Sequence, residues 1–354
     1  MRITFVLPFV GGICGGIKAV FEFANHLKKR GHDVSVIYPL IPYLELKGSI
    51  LGICKGTIMN FMRGVKVNWF DLNANLIRVP ILTEKYIPDA DIIVATWWET
   101  AYNVSRLSEK KGRKFYLVQH YEIWGGPEDK VNASYQLGLK IIVNSTWLKS
   151  LLWDKLGVKT DALILHAPDR EQFYPEKIVK SNDSAIRILM PYRQEKWKGV
   201  EDGIKAFKIV KSKNYNVQLI MYGPVRGKSV PKYAEFYERP DNDKLRKIYN
   251  SCDIFVYPSI SEGFGMPPME AMACKIPVVV TRVGAVPDYT IPGKTALVPE
   301  PGNIKELAQN IIRLIENEGE RKKIAENGYN YIKQFTWEKA AEQAEKLFLE
   351  KLKK

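Results

Sequence analysis

Cysteine is scarce in this 354-residue sequence, and long apolar runs do not occur in it. The four cysteines are far apart and none belongs to a C-x-x-C pair, which indicates neither a disulfide framework nor a cysteine zinc site and fits a reducing compartment. No run reaches the roughly eighteen apolar residues of a membrane-spanning helix, and the opening MRITFVLPFVGG turns to glycine too early for a signal peptide. We therefore expect a cytoplasmic protein.

Acidic residues are fewer than basic residues: the sequence has 39 Asp and Glu and 53 Lys and Arg, which gives a formal net charge of +14. This balance favours an anionic partner, namely a phosphorylated ligand, an anionic membrane or nucleic acid, although lysines on helical faces also serve solubility alone. No RNP-like strand or Arg-rich base-contact motif occurs. A nucleic-acid-binding protein is therefore the weakest alternative, and we expect no nucleic-acid partner.

The length of the chain predicts two domains. Apolar, β-rich runs alternate with segments of helical periodicity, which is typical of doubly wound α/β folds. We expect two Rossmann-like domains at 1–167 and 186–336, joined by a polar linker at 168–185. A last helix, at about 337–354, is a candidate to pack back on the first domain. The predicted strands are ITFVLPFV, DVSVIYPL, ADIIVATWW, KFYLVQHY and LKIIVNS, then IRILMPYR, VQLIMYG, CDIFVYPS, IPVVVT and TALVPE.

Ligands of such sheets bind beyond the carboxyl ends of the strands, so the loops there are the candidate sites. The first is GGICGG, which contains Gly15 and Gly16 and follows the opening strand. Its glycines allow backbone N–H groups to approach an anion at a helix N-terminus, although a tight strand-to-helix turn explains them equally well. The glycine spacing is not that of the dinucleotide fingerprint, so a dehydrogenase is not favoured.

Two further loops follow strands of the second domain. PYRQEKWKG carries Arg193 and Lys198, which suit a diphosphate, whereas each alone is more often a solvated charge. In SEGFGMPPMEAMA, Glu262 lies in a loop and Glu270 lies one turn into the next helix. Carboxylates next to phosphate-binding groups suit the hydroxyls of a ribose or hexose. The alternative for Glu270 is an acid that favours the helix dipole.

Two other motifs resemble signatures of metal binding and of ATP binding, but we expect neither function from them. Asp241 and Asp243 fit the D-x-D of metal-dependent transferases, but they precede a helix and a capping role is the better interpretation. PGKT at 292–295 ends like a P-loop, but the preceding glycine is missing and no helix is predicted after it, so ATPase activity is not indicated.

The run PSISEGFGMPPMEAMACKIPVVVT resembles the E-x7-E signature of the retaining GT-B glycosyltransferases (family 4-like, group 1), which read PS-x-x-EGFG-x-x-x-x-EAMA-x-G-x-PVV. The similarity extends to the linker HAPDREQFYP, to PYRQEKWKG and to FTWE before the last helix. It implies a GT-B fold, with two Rossmann-like domains facing a central cleft. It also implies sugar transfer from a nucleotide-diphosphate donor to a hydroxyl of a glycan or lipid-linked acceptor, without a metal or another cofactor.

The resemblance also implies roles for single residues. The catalytic set is expected to comprise two cations at the leaving diphosphate, an acid at the donor sugar and a histidine near that sugar: Arg193, Lys198, Glu262 and His120. The donor-binding set is expected to comprise an acid on the ribose diol and two glycine-containing loops: Glu270, Gly263, Phe264, Gly265, Gly15 and Gly16.

The sequence departs from the family pattern at three places. Lys275 and Tyr192 stand where the family has glycine, and QHYEIW replaces the usual His-Asp pair, which weakens the assignment of His120. A sugar-nucleotide 2-epimerase shares the two-domain architecture and the donor pocket, and stays the main alternative function.

The segment 44–70 mixes Lys and Arg with large apolar residues and has a single acid, Glu45. Such a surface suits an anionic bilayer and a lipid-linked acceptor, which would place the protein on the inner face of the cell membrane. An ordinary core helix with exposed lysines explains the same pattern.

Overall fold

The computed structural model describes residues 1–11, 14–41, 43, 49–62, 67–178 and 185–353. The chain divides into two compact units. The N-terminal unit comprises Met1–His166 together with Trp337–Lys354, and the C-terminal unit comprises Ala167–Thr336.

The N-terminal unit contains a parallel sheet in the order β3-β2-β1-β4-β5-β6-β7. Its central strands are buried on both faces, as the continuous apolar runs predict. The strands are β1 (Arg2–Val6), β2 (Asp33–Pro39), β3 (Asn75–Val79), β4 (Ile92–Ala95), β5 (Arg113–Val118), β6 (Lys140–Val143) and β7 (Ala162–Leu163).

The helices of this unit begin and end largely where the sequence signals them. Ser145 caps α5 by accepting a hydrogen bond from the Leu148 N–H, and Gly157 ends that helix in the left-handed conformation. The helices are α1 (Gly15–Lys29), α2 (Ile50–Met62), α3 (Trp98–Ser105), α4 (Glu128–Ser134), α5 (Thr146–Leu156) and, from the end of the chain, α12 (Trp337–Leu352).

Helix α12 packs against α1 within the N-terminal unit. Phe348 meets Phe115 of β5 edge-on, with ring centroids 4.8 Å apart. The Glu345 carboxylate accepts hydrogen bonds from Arg30 and lies 2.7 Å from His32 Nε2. The last helix is therefore attached to the first unit by both apolar contacts and ion pairs.

The C-terminal unit contains a parallel sheet in the order β10-β9-β8-β11-β12. The strands are β8 (Ile186–Pro191), β9 (Val217–Gly223), β10 (Glu235–Glu238), β11 (Ile254–Tyr257) and β12 (Val278–Val280). The helices are α6 (Val200–Ser212), α7 (Asn242–Asn250), α8 (Met266–Ala273), α9 (Val286–Tyr289), α10 (Ile304–Glu316) and α11 (Glu318–Ile332). The prediction of two Rossmann-like parallel sheets is confirmed.

The sequence interpretation differs from the structure mainly at sheet edges. Strands β3, β7 and β10 were not predicted, because edge strands that are short and only half-buried lack a long apolar run. TALVPE, predicted as a strand, forms only isolated bridges such as Val279 to Leu297. That part of the prediction is wrong, because Thr295 belongs to a turn and its hydroxyl bonds back to Ile291.

Candidate active site

The strand order places two loops of the C-terminal unit side by side. Strand β8 lies between β9 and β11. After β8 the chain forms β9 and β10 on one side of it, and then crosses over to form β11 and β12 on the other side. Such a reversal is where doubly wound sheets bind their ligands. The loop after β8 carries Arg193 and Lys198, and the loop after β11 carries Glu262, as the sequence predicted.

Backbone hydrogen bonds hold these two loops together. The N–H groups of Ile260 and Ser261 donate to the Trp197 carbonyl oxygen at 2.8 and 3.2 Å. Gly199 has a φ of 61°, and a Cβ atom there would lie 1.9 Å from the Pro258 carbonyl oxygen. Only glycine therefore permits this approach, which fixes Lys198 next to the second loop.

Glu262 is the most enclosed acid of the site, with a residue exposure of 6%. Its Oε1 accepts hydrogen bonds from the Tyr257 hydroxyl at 2.6 Å and the Ser259 hydroxyl at 2.7 Å. The Lys198 ammonium lies 2.9 Å from Oε1 and 3.0 Å from Oε2. Burial, followed by the nearby Glu262 charge, holds the pKa of Tyr257 well above its usual value, so that hydroxyl stays a donor to the carboxylate.

Buried residues of the C-terminal unit hold the glycine-containing loop 263–265 in place. Gly284 has a φ of 51°, and a Cβ there would lie 2.5 Å from the Glu262 carbonyl oxygen. The Tyr289 hydroxyl donates to the Gly265 carbonyl oxygen at 2.9 Å. The ring of Phe264 is buried and lies 5.6 Å from that of Tyr289. Phe264 thus anchors the loop through its side chain.

Glu270 lies in α8, where it is half-buried and accepts a hydrogen bond from one member of a tyrosine pair. The Tyr249 hydroxyl donates to Oε2 of Glu270 at 3.2 Å, and it lies 2.7 Å from the Tyr222 hydroxyl. Burial, and then the Glu270 charge, raises the pKa of Tyr222, while Arg193 acts in the opposite direction. Arg193 and Glu270 therefore both act on Tyr222 electrostatically, although the two residues are far apart in sequence.

The remaining predicted residues lie in the N-terminal unit. Gly15 begins α1, and the Gly16 carbonyl oxygen accepts a hydrogen bond from Gln119 Nε2 at 3.1 Å. Gly12 of the same loop lies outside the described residues. His120 follows β5; its Nδ1 lies 3.0 Å from the Tyr121 carbonyl oxygen, and its ring is flanked by two tryptophans. The C-terminal unit thus gathers Arg193, Lys198, the Glu262 loop and Glu270, while Gly15, Gly16 and His120 belong to the other unit.

Sequence reasoning missed the residues that position the two acids. Tyr257 and Ser259 precede Glu262 by five and three positions, in the strand end FVYPS, and their polar side chains were a usable signal. Tyr249 comes from α7 and Tyr222 from β9, so only the packing of the sheet reveals them.

Tyr192, a departure from the family pattern, is buried beneath the loop after β9. Its hydroxyl lies 3.2 Å from the Ser229 hydroxyl oxygen, and a Cβ at Gly227 would lie 1.7 Å from the Tyr192 hydroxyl oxygen. Tyr192 therefore supports that loop and contacts neither acid in the described structure.

The structure shows a helix cap and a turn at the two misleading motifs. Asp241 caps α7 by accepting a hydrogen bond from the Lys244 N–H at 2.8 Å. Residues 292–295 form a turn that leads to an isolated bridge with β12, and no helix begins there.

Residues 174–331 match the model of the family described as glycosyl transferases group 1. The matched residues lie within the C-terminal unit and include both loops and both acids described above. The chain is 36% identical over 160 residues to an uncharacterized glycosyltransferase of Methanocaldococcus jannaschii, a match that covers 43% of this chain and 45% of that protein.

A second relative is the capsular polysaccharide biosynthesis glycosyltransferase CapM of Staphylococcus aureus, 32% identical over 155 residues, which are 40% of this chain and 41% of CapM. The chain thus spans less than half the length of these two curated relatives.

Solved structures show the fold over the whole chain. Sucrose-phosphate synthase from Thermosynechococcus elongatus has a TM-score of 0.75 at 18% identity, and the match covers 99% of this chain and 98% of that one. HepE of Anabaena, in complex with UDP-glucose, has a TM-score of 0.72 at 16% identity, over 98% of this chain and 99% of that one. The fold is therefore GT-B, and residues 174–331, which match the family model, lie in its C-terminal unit.

Proposed function

We propose that this protein is a retaining glycosyltransferase. It would move a hexose or deoxyhexose from a nucleotide-diphosphate sugar to a hydroxyl group of a glycan or lipid-linked acceptor, in the synthesis of a cell-surface polysaccharide or glycolipid. The observation that carries the proposal is the buried Glu262 carboxylate, held by Lys198, Tyr257 and Ser259 at the reversal point of the sheet. The capsular polysaccharide relative and the UDP-glucose complex of HepE support the substrate class.

In this proposal the two cations receive the leaving diphosphate. Two of the three ammonium protons of Lys198 are directed at Glu262, and the third can meet a phosphate oxygen. The Arg193 guanidinium can hold phosphate oxygens through two parallel hydrogen bonds. Breaking the anomeric bond places negative charge on the diphosphate, so fixed cations stabilise the transition state more than the ground state.

Glu262 is proposed to position the donor sugar and to stabilise its developing positive charge. Three groups already direct hydrogen bonds at its Oε1, which is a poor arrangement for a nucleophile. The acceptor would attack from the face that the diphosphate leaves, with a phosphate oxygen taking its proton. Glu270, with one oxygen bonded to Tyr249, is proposed to bind the ribose diol. His120 stays a predicted contributor near the donor sugar.

Turnover of nucleotide sugars tests the proposal. The protein is incubated with UDP-, GDP-, dTDP- and ADP-hexoses and a membrane extract as the source of acceptors, and proton NMR follows the anomeric signals. Retention predicts an α-linked product from an α-linked donor, and loss of product in Lys198→Met and Glu262→Gln. An inverted product would contradict the retaining mechanism. Conversion of the donor to its 2-epimer or to free nucleotide, without transfer, would favour the epimerase.

We also propose that α2 places the protein on an anionic membrane. Leu51, Ile58 and Met62 recur at helical spacing and are 80%, 59% and 75% exposed. Lys55 lies on the same face, and the helix contains no acid. Arg63 and Lys66, the other cations of the predicted surface, lie outside the described residues. No helix among the described residues is long and apolar enough to cross a bilayer.

Sedimentation with lipid vesicles tests this second proposal. Charge reversal of Lys55, Arg63 and Lys66 to Glu should sharply reduce binding to phosphatidylglycerol vesicles, with little binding to phosphatidylcholine in any variant. A matched control reverses Lys305, Lys322 and Lys323, which are exposed and change the net charge equally. Equal losses in both triple variants would mean that overall charge, and not α2, governs binding.

A further inference from the structure

Four aromatic rings line the carboxyl edge of adjacent strands in the N-terminal unit. Trp97 follows β4, His120 and Trp124 follow β5, and Trp147 follows β6. The ring centroids of Trp97 and Trp124 are 5.1 Å apart, and His120 lies 6.3 Å from Trp124 and 6.0 Å from Trp147. We call these four residues the aromatic edge. This is the side of a parallel sheet on which ligands bind.

The aromatic edge presents one indole to solvent. Trp124 is 54% exposed, whereas Trp97 is buried and Trp147 is half-buried. Tryptophan is enriched at binding surfaces because it combines a large apolar ring with a polar N–H group. Trp153, on α5 of the same unit, is equally exposed at 52% but lies on a helix and not at the carboxyl edge.

The turn that carries Trp124 packs closely against the buried rings of Trp97 and Trp98. A Cβ at Gly125 would lie 2.3 Å from the Trp97 ring, and one at Gly126 would lie 2.4 Å from the Trp98 ring. The Trp98 indole N–H donates to the Gly125 carbonyl oxygen at 3.3 Å. Both glycines therefore let the turn lie directly on the two buried indoles, which fixes the direction of Trp124.

The buried Glu122 side chain fixes the other end of the same turn. Glu122 accepts hydrogen bonds from the Trp98 N–H at 2.8 Å and from the Tyr116 hydroxyl at 3.0 Å. Its side chain thereby joins the turn after β5 to the start of α3. A rigid support is what a binding residue needs, because little conformational entropy is then lost when a ligand docks.

The chemistry of the aromatic edge suits a sugar ring. A pyranose has a flat face of C–H groups that can lie on the electron-rich face of an indole, and a rim of hydroxyl groups that need polar partners. The Tyr121 carbonyl oxygen, 3.0 Å from His120 Nδ1, can accept a hydrogen bond from that nitrogen. The edge thus combines an apolar platform with a polar ring.

We propose that the aromatic edge binds a hexopyranose unit of the acceptor, with the sugar stacked on Trp124 and a hydroxyl group directed at His120. The assignment of this sugar as the acceptor rests on the proposed function. The binding of a pyranose at Trp124 does not, because it follows from the exposure, rigidity and placement of the four rings.

The test is an NMR titration of ¹⁵N-labelled protein, observed at the tryptophan indole N–H signals, with the methyl glycosides of glucose, galactose, mannose and N-acetylglucosamine. At least one glycoside should shift the Trp124 signal saturably. In the Trp124 variants binding is read at the indole signal of the neighbouring Trp97, 5.1 Å from Trp124 in the wild type. Trp124→Ala should weaken that binding by about tenfold or more, Trp124→Phe should retain most of it, and Trp153→Ala should leave it unchanged. No saturable shift at Trp124 with any glycoside, or equal loss in the Trp153 variant, would overturn the proposal.

Calorimetric binding of nucleoside diphosphates, measured on the same samples, separates this inference from the proposed function. Nucleotide binding without a sugar shift would refute the aromatic edge alone. A sugar shift without nucleotide binding would refute the transferase and keep the sugar site. Retained nucleotide binding by Trp124→Ala also verifies that the variant is folded.

Discussion

The Lys198 ammonium lies 2.9 and 3.0 Å from the two carboxylate oxygens of Glu262, across loops that are 64 positions apart in the sequence. The side chain of Glu262 is 7% exposed and that of Lys198 is 25% exposed. A pair of this kind stabilises little by itself, but removing one partner leaves the other charge buried without compensation. The ion pair therefore helps to hold the two loops together, and the same two residues are proposed to act in sugar transfer.

We first predict that the two charges are strongly coupled. Lys198→Met should lower the free energy of unfolding by about 1–3 kcal/mol, less than for a fully buried pair because Lys198 is partly solvated. Adding Glu262→Gln should recover part of that loss, because the uncompensated carboxylate is then removed. Differential scanning calorimetry of the two single variants and the double variant measures the coupling. Strictly additive losses would show that the pair does not interact as described.

The second prediction concerns the approach of the two loops at Gly199. Gly199→Ala combines a positive φ with a Cβ 1.9 Å from the Pro258 carbonyl oxygen, so the loop must move. Gly157→Ala is the matched control, because Gly157 has a φ of 65° and no atom within 4 Å of its Cβ position. We expect the control to cost about 1 kcal/mol and Gly199→Ala to cost at least about twice as much. Similar melting temperatures for both variants would contradict the close approach.

Much of this arrangement could be predicted from the sequence. The loops were placed after the correct strands because strand and helix periodicities alternate plainly, and parallel topology brings the strand ends to one edge. The partners of the acids could not be predicted, since Tyr249 reaches Glu270 from another helix. The edge strands were missed because a half-buried five-residue strand such as Asn75–Val79 has no distinctive pattern.

Lys275, which replaces the glycine of the family that the sequence resembles, has an unusual backbone conformation. Its φ is +61°, which lies in the left-handed region that favours glycine. The Ile276 N–H bonds to the Ala271 carbonyl oxygen and the Lys275 N–H to that of Met272, which is the hydrogen-bond pattern of a helix C-terminus closed by a left-handed residue.

We therefore predict an inverted order of stability at this position. Both Lys275→Gly and Lys275→Ala remove the exposed ion pair with Glu326, but only glycine relieves the backbone strain. The glycine variant should be more stable than the alanine variant by about 1 kcal/mol, the reverse of their order inside a helix. Chemical denaturation of the two variants decides the order, and a more stable alanine variant would contradict the left-handed conformation.

The buried Glu122 predicts a pH-dependent stability of the N-terminal unit. Burial raises the pKa of Glu122 to about 8, although the hydrogen bonds from Trp98 and Tyr116 oppose the rise. The folded state then binds one proton more than the unfolded state between about pH 4.5 and 8, so stability falls as the pH rises through this window. The slope approaches ~1.4 kcal/mol per pH unit.

Glu122→Gln should remove the Glu122 contribution to this slope, because the amide cannot titrate and its oxygen can still accept both hydrogen bonds. Burial lowers the pKa of His166 to about 3, which gives an opposite contribution below about pH 6.5 in both proteins. Denaturation followed by tryptophan fluorescence at pH 5.5 and 7.5 measures the difference and reports mainly on the N-terminal unit, which contains all the tryptophans except Trp197. The same pH dependence in the variant and the wild type would assign the effect to other groups.

The central proposal is that the C-terminal unit holds a nucleotide-diphosphate donor, with Glu270 on the ribose. Isothermal titration calorimetry with UDP, GDP, dTDP and ADP tests it most directly, using wild type, Glu270→Ala, Tyr249→Phe and, as the control, Glu318→Ala from the exposed side of α11. We predict saturable binding of one nucleotide, weakened about tenfold or more by Glu270→Ala, less by Tyr249→Phe and not by Glu318→Ala. Absence of binding by all four nucleotides, or unchanged affinity in Glu270→Ala, would contradict the account.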